Sequence, residues 1–231
     1  PGDPAAQAMP SSLLADGSGE ATIVIKGLHT AAPTQALVMT TNADGILLSG
    51  IPMVYVPGIG GTGPFYIDKT EVTLSAWAGC AAAAACLPAE ASVGAQPVSG
   101  VSFTAAEGYC RWRGTRLPTE EEWSLAARFD PRMGLYRLYP WGDEWDASLA
   151  NTAEADGYTG PAPVGSFPGG ISPVGALDMA GNVAEWTATG SLYGGSWASG
   201  GAEARSDLAG GVYSAAEIGL RCAISAEAVR Q

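Results

Sequence analysis

Histidine is nearly absent from this sequence: His29 is the only one in 231 residues. That scarcity removes the commonest general base and a common metal ligand from almost the whole chain. A Ser-His-Asp triad is untenable, because His29 lies in a strand-like segment with no nucleophile motif around it. Basic side chains are scarce as well. Eleven Lys+Arg stand against 23 Asp+Glu, a formal net charge of −12 with no basic run. A phosphate backbone would be repelled, so nucleic acid is a poor partner. The acidic excess suits divalent cations and equally suits plain solubility. Long apolar runs are missing too: "CAAAAAC" is short and made of Ala, far from the roughly 18 residues of a membrane span.

Charged residues make up 15%, below the ordinary quarter, while 47% apolar residues can supply a real core. Gly 32 and Pro 16 imply a loop-rich chain. The length suits one large domain, or one domain with a small appendage. The sequence begins at Pro1 rather than Met, which reads as processed or trimmed, with any signal peptide out of view.

The four cysteines, Cys80, Cys86, Cys110 and Cys222, are separated by 5, 23 and 111 residues. Zinc would prefer two close pairs, with His as a common partner. Two disulfides in an oxidising compartment are the better reading. Cys80–Cys86 would close a local loop, and Cys110–Cys222 would tie the middle of the chain to its end. The longer closure should stabilise more, on the order of 4–5 kcal/mol before strain.

Residues 1–20, rich in Pro, Ala, Ser and Gly, read as an arm or linker. "ATIVIKGL", "ALVMTT" and "GILLSG" read as strands of a small β appendage at 21–50, and "MVYVPG" as a further strand. "TTNADG" offers turn chemistry between them. From residue 51 to 231 the pattern changes to one main domain. "FYIDKTEVTLSAWAGCA" predicts a strand and then a helix near Leu74–Ala85, and "SFTAAEGYCRWRG" predicts a second helix with Tyr109 and Trp112 on one face. "RLPTEEEWSLAARF" predicts a third, with Thr119 and Glu122 as a capping box and Glu120–Glu122 at the positive helix end. Those glutamates have a structural explanation and need no catalytic one. Between Tyr139 and Cys222 turn residues dominate, interleaved with short strands such as "APVGSF" and "IGLRCAI". The sum is an α+β fold whose long loops need support beyond helical hydrogen bonds.

The order of motifs is specific. "MVYVPGIGG", "YIDKTEVT", "PVSGVSFTAAEGYCRWRGTRLPTEEEWSLAAR", "YPWGDE", "PVGSFPGGISPVGALDMAGNVAEWT", "YGGSW" and "IGLRCA" follow one another over about residues 51–225. This succession resembles the formylglycine-generating-enzyme / sulfatase-modifying-factor family, a variant of the C-type-lectin fold; residues 1–50 lie outside the resemblance. The family's enzymes oxidise a substrate cysteine with two copper-binding cysteines placed after the "GGS" motif. Those places fall on Ser199 and approximately Ala204, and neither holds a soft Cu(I) ion as a thiolate does. The resemblance therefore implies no copper and no family chemistry, and leaves Cys110 and Cys222 as a disulfide. Sulfoxide synthases of the ergothioneine type resemble this domain but use a three-histidine iron site, which this chain does not carry. A cysteine-free periplasmic branch, acting in siderophore chromophore maturation, leaves a divergent oxidase open.

Calcium takes six to eight oxygen ligands from carboxylates, amides and backbone carbonyls. "LDMAGNVAEW" brings Asp178 and Glu185 close to a Gly-containing turn. The resemblance implies a calcium site of Asp178, the Gly181 and Val183 carbonyls and Glu185, with Asn182 bracing the turn through its side chain. A second, in "NTAEADGY", would use Asn151, the Thr152 carbonyl, Asp156 and the Tyr158 carbonyl. Such ions would be structural. The plain alternative for both loops is Asx-turns with hydrogen-bonded carboxylates.

Most tryptophans (Trp77, Trp112, Trp123, Trp141, Trp186 and Trp197) fall inside motifs and read as packing residues. Trp145 is the best exposed candidate, and Arg205 and Arg221 are expected to pair with internal carboxylates. With the cysteine pair missing, the leading expectation is a secreted or cell-surface non-catalytic module. It would bind a protein or glycan, or copies of itself through strands such as "ATIVIKG". The second is a retroelement-diversified ligand-binding protein displaying residues 192–217, since "SWASGGAEARSDLAGGVYSAAE" is polar and built of small residues. On either reading Trp145, Ser199, Glu203, Asp207 and Tyr213 are candidate ligand-surface residues. The third is the oxidase without cysteines.

Overall fold

A computed structural model describes residues 51–89, 94–154 and 157–229, and within residues 1–50 only the backbone of four strands. Those strands are β1 (Leu14–Ala15), β2 (Ala21–Ile25), β3 (Leu37–Asn42) and β4 (Gly45–Leu48). They lead into β5 (Ile51–Val56) and β6 (Phe65–Asp68). Three helices follow, α1 (Leu74–Ala82), α2 (Phe103–Trp112) and α3 (Glu120–Arg128). After the hairpin β7 (Phe129–Asp130) and β8 (Leu135–Tyr136) come only short pieces: β9 (Ala184–Trp186), β10 (Leu192–Tyr193), β11 (Ile218–Gly219), β12 (Ala223–Ser225) and the turn of helix α4 (Ala226–Val229).

Among the described residues the largest sheet runs β1-β2-β3-β4-β5-β6-β12, antiparallel throughout. The strands read as an appendage thus share a sheet with the main domain, Ile46 opposite Met53. The segment "ATIVIKG" supplies β2, which pairs with β3 along its length and with β1 at Ala21 and Thr22. A smaller sheet runs β10-β9-β11, with β11 parallel to β9.

The helix starts are where capping chemistry puts them. Thr73, Ser102 and Thr119 each accept a hydrogen bond from a backbone N–H in the first turn, satisfying donors a helix end leaves unpaired. At α3 the capping box is complete, with Glu122 N–H donating to Thr119 Oγ1 at 3.2 Å and Thr119 N–H to Glu122 Oε2 at 2.9 Å. Arg116 grips the same carboxylate at 2.6 Å through both terminal nitrogens. Helix α1 stops before its expected end: Ala84 takes the left-handed φ of 57° inside the loop that Cys80–Cys86 closes. "APVGSF" is not a strand. Its N–H groups go elsewhere: Ala162 donates to the Asn182 side chain, Gly165 to Asp178 and Val164 to the Ala95 carbonyl.

Among the described residues two large apolar clusters make up most of the core, with a small one of alanines beside them. Val54, Val56, Phe65 and Ile67 meet Trp123, Leu125, Phe129 and Met179 across the sheet. Trp77 and Tyr109, stacked at 5.2 Å, meet Val72, Val98, Leu117 and Leu220 around both disulfides. Cys80–Cys86 and Cys110–Cys222 are both formed, with Cα atoms 5.3 and 5.6 Å apart. Loop length sets how much each bridge restricts the unfolded chain. Replacing Cys110 and Cys222 by Ala should cost about 5 kcal/mol, against about 2 kcal/mol for Cys80 and Cys86, measured by urea unfolding of the oxidised proteins.

Candidate ligand-binding face and its buried acidic support

The stretch 177–186 lies beneath the irregular half of the chain. Glu185, in the middle strand of the small sheet, is buried and accepts from Arg221 Nε and Nη2, each at 2.6 Å, and from Trp123 Nε1 at 2.7 Å. Arg221 is fully buried and also donates to the carbonyls of Asp68, Leu177 and Asp178 at 3.0, 2.9 and 3.2 Å. Asp178 Oδ2 accepts from the Gly165 N–H at 2.6 Å. Glu71, which sequence patterns did not single out, accepts at 2.9 Å from Asn182 Nδ2.

Three carboxyl groups thus surround one guanidinium. Burial pushes the Glu71 carboxyl well above the usual carboxylate range, and the Asp178 charge adds to the rise. Burial also raises Asp178 and Glu185, opposed at Glu185 by the Arg221 charge and its hydrogen bonds. For Arg221, burial acts to lower the pKa, but Glu185, Glu71 and Asp178 together outweigh it and raise it. A buried charge with paired partners is tolerated; one without them is not.

The two loops expected to hold calcium pack on each other. Asn182 N–H donates to the Asn151 carbonyl at 2.8 Å, and Asn151 Nδ2 donates to Asn182 Oδ1 at 3.0 Å. Gly181 has a φ of 75°, and a Cβ there would lie 2.1 Å from the Asn151 carbonyl oxygen, so the close approach needs glycine. Val183 is buried. Asn182 braces more than its own turn, since its Oδ1 also accepts from Ala162 N–H at 2.8 Å. As for a cation, Glu185 is engaged by Arg221, which leaves Asp178 and the carbonyls in the first loop. In the second, Asn151 Oδ1 is buried without a hydrogen-bond partner, the kind of oxygen a hard cation takes. Thr152 is buried and Tyr158 is exposed; Asp156 lies outside the described residues. Among the described residues no three His, Cys, Asp or Glu side chains group as a metal-ligand set.

Above this network runs the segment 196–217. Ser199, expected on the surface, turns inward: its Oγ accepts from Ser196 N–H at 3.0 Å and lies 3.1 Å from Ser196 Oγ, which donates to Glu217 Oε2 at 2.6 Å. Ala204 is fully buried beside Ala150 and Ala180. Between these anchors Ala198, Ala202, Glu203, Asp207, Leu208, Val212 and Ser214 are exposed. Asp207 pairs with Arg205 at 2.8 and 2.9 Å, an exposed rather than internal partner. Tyr213 is partly buried and donates to the Gly210 carbonyl at 3.0 Å. Trp145 is only partly exposed; its Nε1 donates to Glu154 at 2.9 Å, its ring packs over Gly201, and Tyr139 and Trp141 lie 5.2 and 5.7 Å away. Together these residues make a displayed loop on a fixed base. Among the described residues no helix is long and apolar enough to cross a membrane.

If Arg221 holds the base together, Arg221→Met should destabilise by about 3–5 kcal/mol, because it leaves Glu185 buried without its counter-ion. The double variant Arg221→Met/Glu185→Gln should recover part of that loss in urea unfolding.

The comparisons agree with this architecture. Residues 61–226 match the sulfatase-modifying factor enzyme 1-like domain. The chain is 48% identical over 95 residues to hercynine oxygenase of Mycolicibacterium thermoresistibile, covering 41% of this chain and 21% of that protein. It is 41% identical over 102 residues to inactive C-alpha-formylglycine-generating enzyme 2 of Bos taurus, covering 40% and 33% respectively. The chain therefore spans only about a fifth to a third of these relatives. The solved structure of Treponema denticola variable protein 1 superposes with a TM-score of 0.56 at 19% identity, covering 88% of this chain and 98% of that one. The α+β, C-type-lectin-like architecture expected from the motifs is thus present. With most of its length inside the family match, the chain belongs to the sulfatase-modifying factor enzyme 1-like domain family.

Proposed function

We propose that this chain is a non-catalytic binding module, secreted or carried on a cell surface, whose loop 196–217 meets a protein or glycan ligand or another copy of the chain. The observation that carries this reading is the state of the two positions implied for the copper cysteines. Ser199 is tied into a hydroxyl and carboxylate chain, and Ala204 is packed among alanines, while side chains around them are displayed. A buried methyl and a hydrogen-bonded hydroxyl offer no soft metal ligand. Incubation with copper and a cysteine-containing sulfatase peptide should give no aldehyde by mass spectrometry; aldehyde formation would revive the oxidase reading.

A second reading, that residues 192–217 are diversified by a retroelement, is favoured by the same pattern of anchored and displayed positions. A reverse-transcriptase gene with a template repeat beside the coding sequence would select it.

Calcium in the loop from Asn151 to Tyr158 belongs to the proposal, supported by the unpartnered Asn151 Oδ1. The ion would neutralise local carboxylate charge and replace regular hydrogen bonding as loop support. A chelator should lower the melting temperature, added calcium should restore it, and Asn151→Ala should abolish the difference. A chelator-insensitive wild-type protein argues against the ion.

A further inference from the structure

A groove of about 340 Å³ runs beside α3 and meets the displayed loop at Ser206 and Asp207. One wall is the outward face of α3, carrying Glu120, Glu121 and Arg128. Ile59, in the β5–β6 loop, Tyr136 of β8, whose ring lies 4.7 Å from the Arg128 guanidinium, and Tyr193, Ser206 and Asp207 also line it.

Its charges are unevenly engaged. Asp207 is held by Arg205. The groove's own cation is drawn aside: Arg128 Nε donates to Ser124 Oγ at 2.9 Å, Nη1 to the Arg137 carbonyl at 3.3 Å, and its guanidinium lies 4.7 Å from the Tyr136 ring centroid. Glu120 Oε1 accepts from Thr189 and Ser191 hydroxyls at 2.5 and 2.7 Å, which hold it below the usual carboxylate range and ionised. Glu121 is exposed and enters no ion pair among the described residues.

The second observation is independent of charge. Ser206 is fully buried, lines the groove, and its Oγ has no hydrogen-bond partner. Buried hydroxyls are seldom left unpaired, so a donor arriving from the groove would satisfy it. Carboxylates and an apolar residue, Ile59, lining the same groove match a long side chain with an apolar stem and a cationic head. A sugar would need an open aromatic face, and Tyr136 has Arg128 over its ring and Phe129 at 5.0 Å.

We propose that this groove receives a basic side chain, arginine or lysine, from a partner polypeptide. Glu120 and Glu121 take its charge, Ser206 Oγ accepts one of its N–H groups, and Ile59 covers its stem. The assignment stands on α3 and Ser206, and holds whether or not the loop around Glu203 binds a ligand of its own.

The test uses the full chain and a fluorescein-labelled octapeptide of alternating Arg and Ser, with Lys and citrulline versions, read by fluorescence polarisation. The Arg and Lys peptides should bind, more weakly as salt rises, and the uncharged citrulline peptide at least tenfold more weakly. Glu121→Gln and Ser206→Ala should each weaken binding about tenfold while shifting the melting temperature little, since the Ser206 hydroxyl has no hydrogen-bond partner and Glu121 enters no ion pair among the described residues. Equal binding of the citrulline peptide, or binding untouched by both substitutions, overturns the assignment. So does binding lost only in Glu203→Gln or Tyr213→Ala, which would locate it on the displayed loop, or displacement of the peptide by a neutral oligosaccharide.

Discussion

The buried ion pair between Glu185 and Arg221 is the constraint on which the irregular half of this protein depends. One guanidinium meets Glu185, the end of β6 at Asp68, and the start of the 177–186 stretch, groups separated by 36, 153 and 44 residues. Desolvating such a pair is expensive, and its attraction offsets that cost only when every donor is used. Arg221 meets the condition by spending its remaining N–H groups on backbone carbonyls at the end of β6 and in the loop at Leu177 and Asp178. A second buried arginine works beside it: Arg113 grips Asp68, whose Oδ2 also accepts from Cys222 N–H at 2.8 Å. The two arginines and the Cys110–Cys222 bridge therefore converge on the junction of β6 and β12.

This convergence explains how a long stretch with little regular structure stays folded. Backbone groups that are buried must be paired somewhere. Where ladders are missing, side chains serve: Asn182 joins Glu71, Asn151 and Ala162, and Asp178 receives Gly165. These contacts fix the base, and the loop above it is pinned by small buried residues such as Ser199, Gly201, Ala204 and Ser206. Small anchors let the positions between them vary in chemistry without disturbing the packing below.

Much of the fold was legible in the sequence. The α3 capping box, the three helices and most early strands depend on contacts within a few residues, and the motif order identified the family. The disulfide pairing followed from the same motifs. Less of the site was legible. "LDMAGNVAEW" reads as a cation loop because it gathers carboxylates, yet Glu185 is taken by an arginine 36 residues further on. Ser199 reads as a displayed residue because its neighbours are small and polar, but the turn at Ser196 folds it inward. Glu71 gave no signal, since a lone acid after a strand is ordinarily solvated; only its contact with Asn182, 111 residues away, shows its role.

The sequence alone determined where helices begin and which cysteines could bridge. Each of these is a matter of residue type or of spacing within one or two turns. Tertiary structure alone decided which carboxylate meets which arginine, which serine is buried, and that Ser206 lies at a groove without a hydrogen-bond partner. Those outcomes depend on segments far apart in the chain meeting in a low-dielectric interior, where a charge keeps its place only beside a partner.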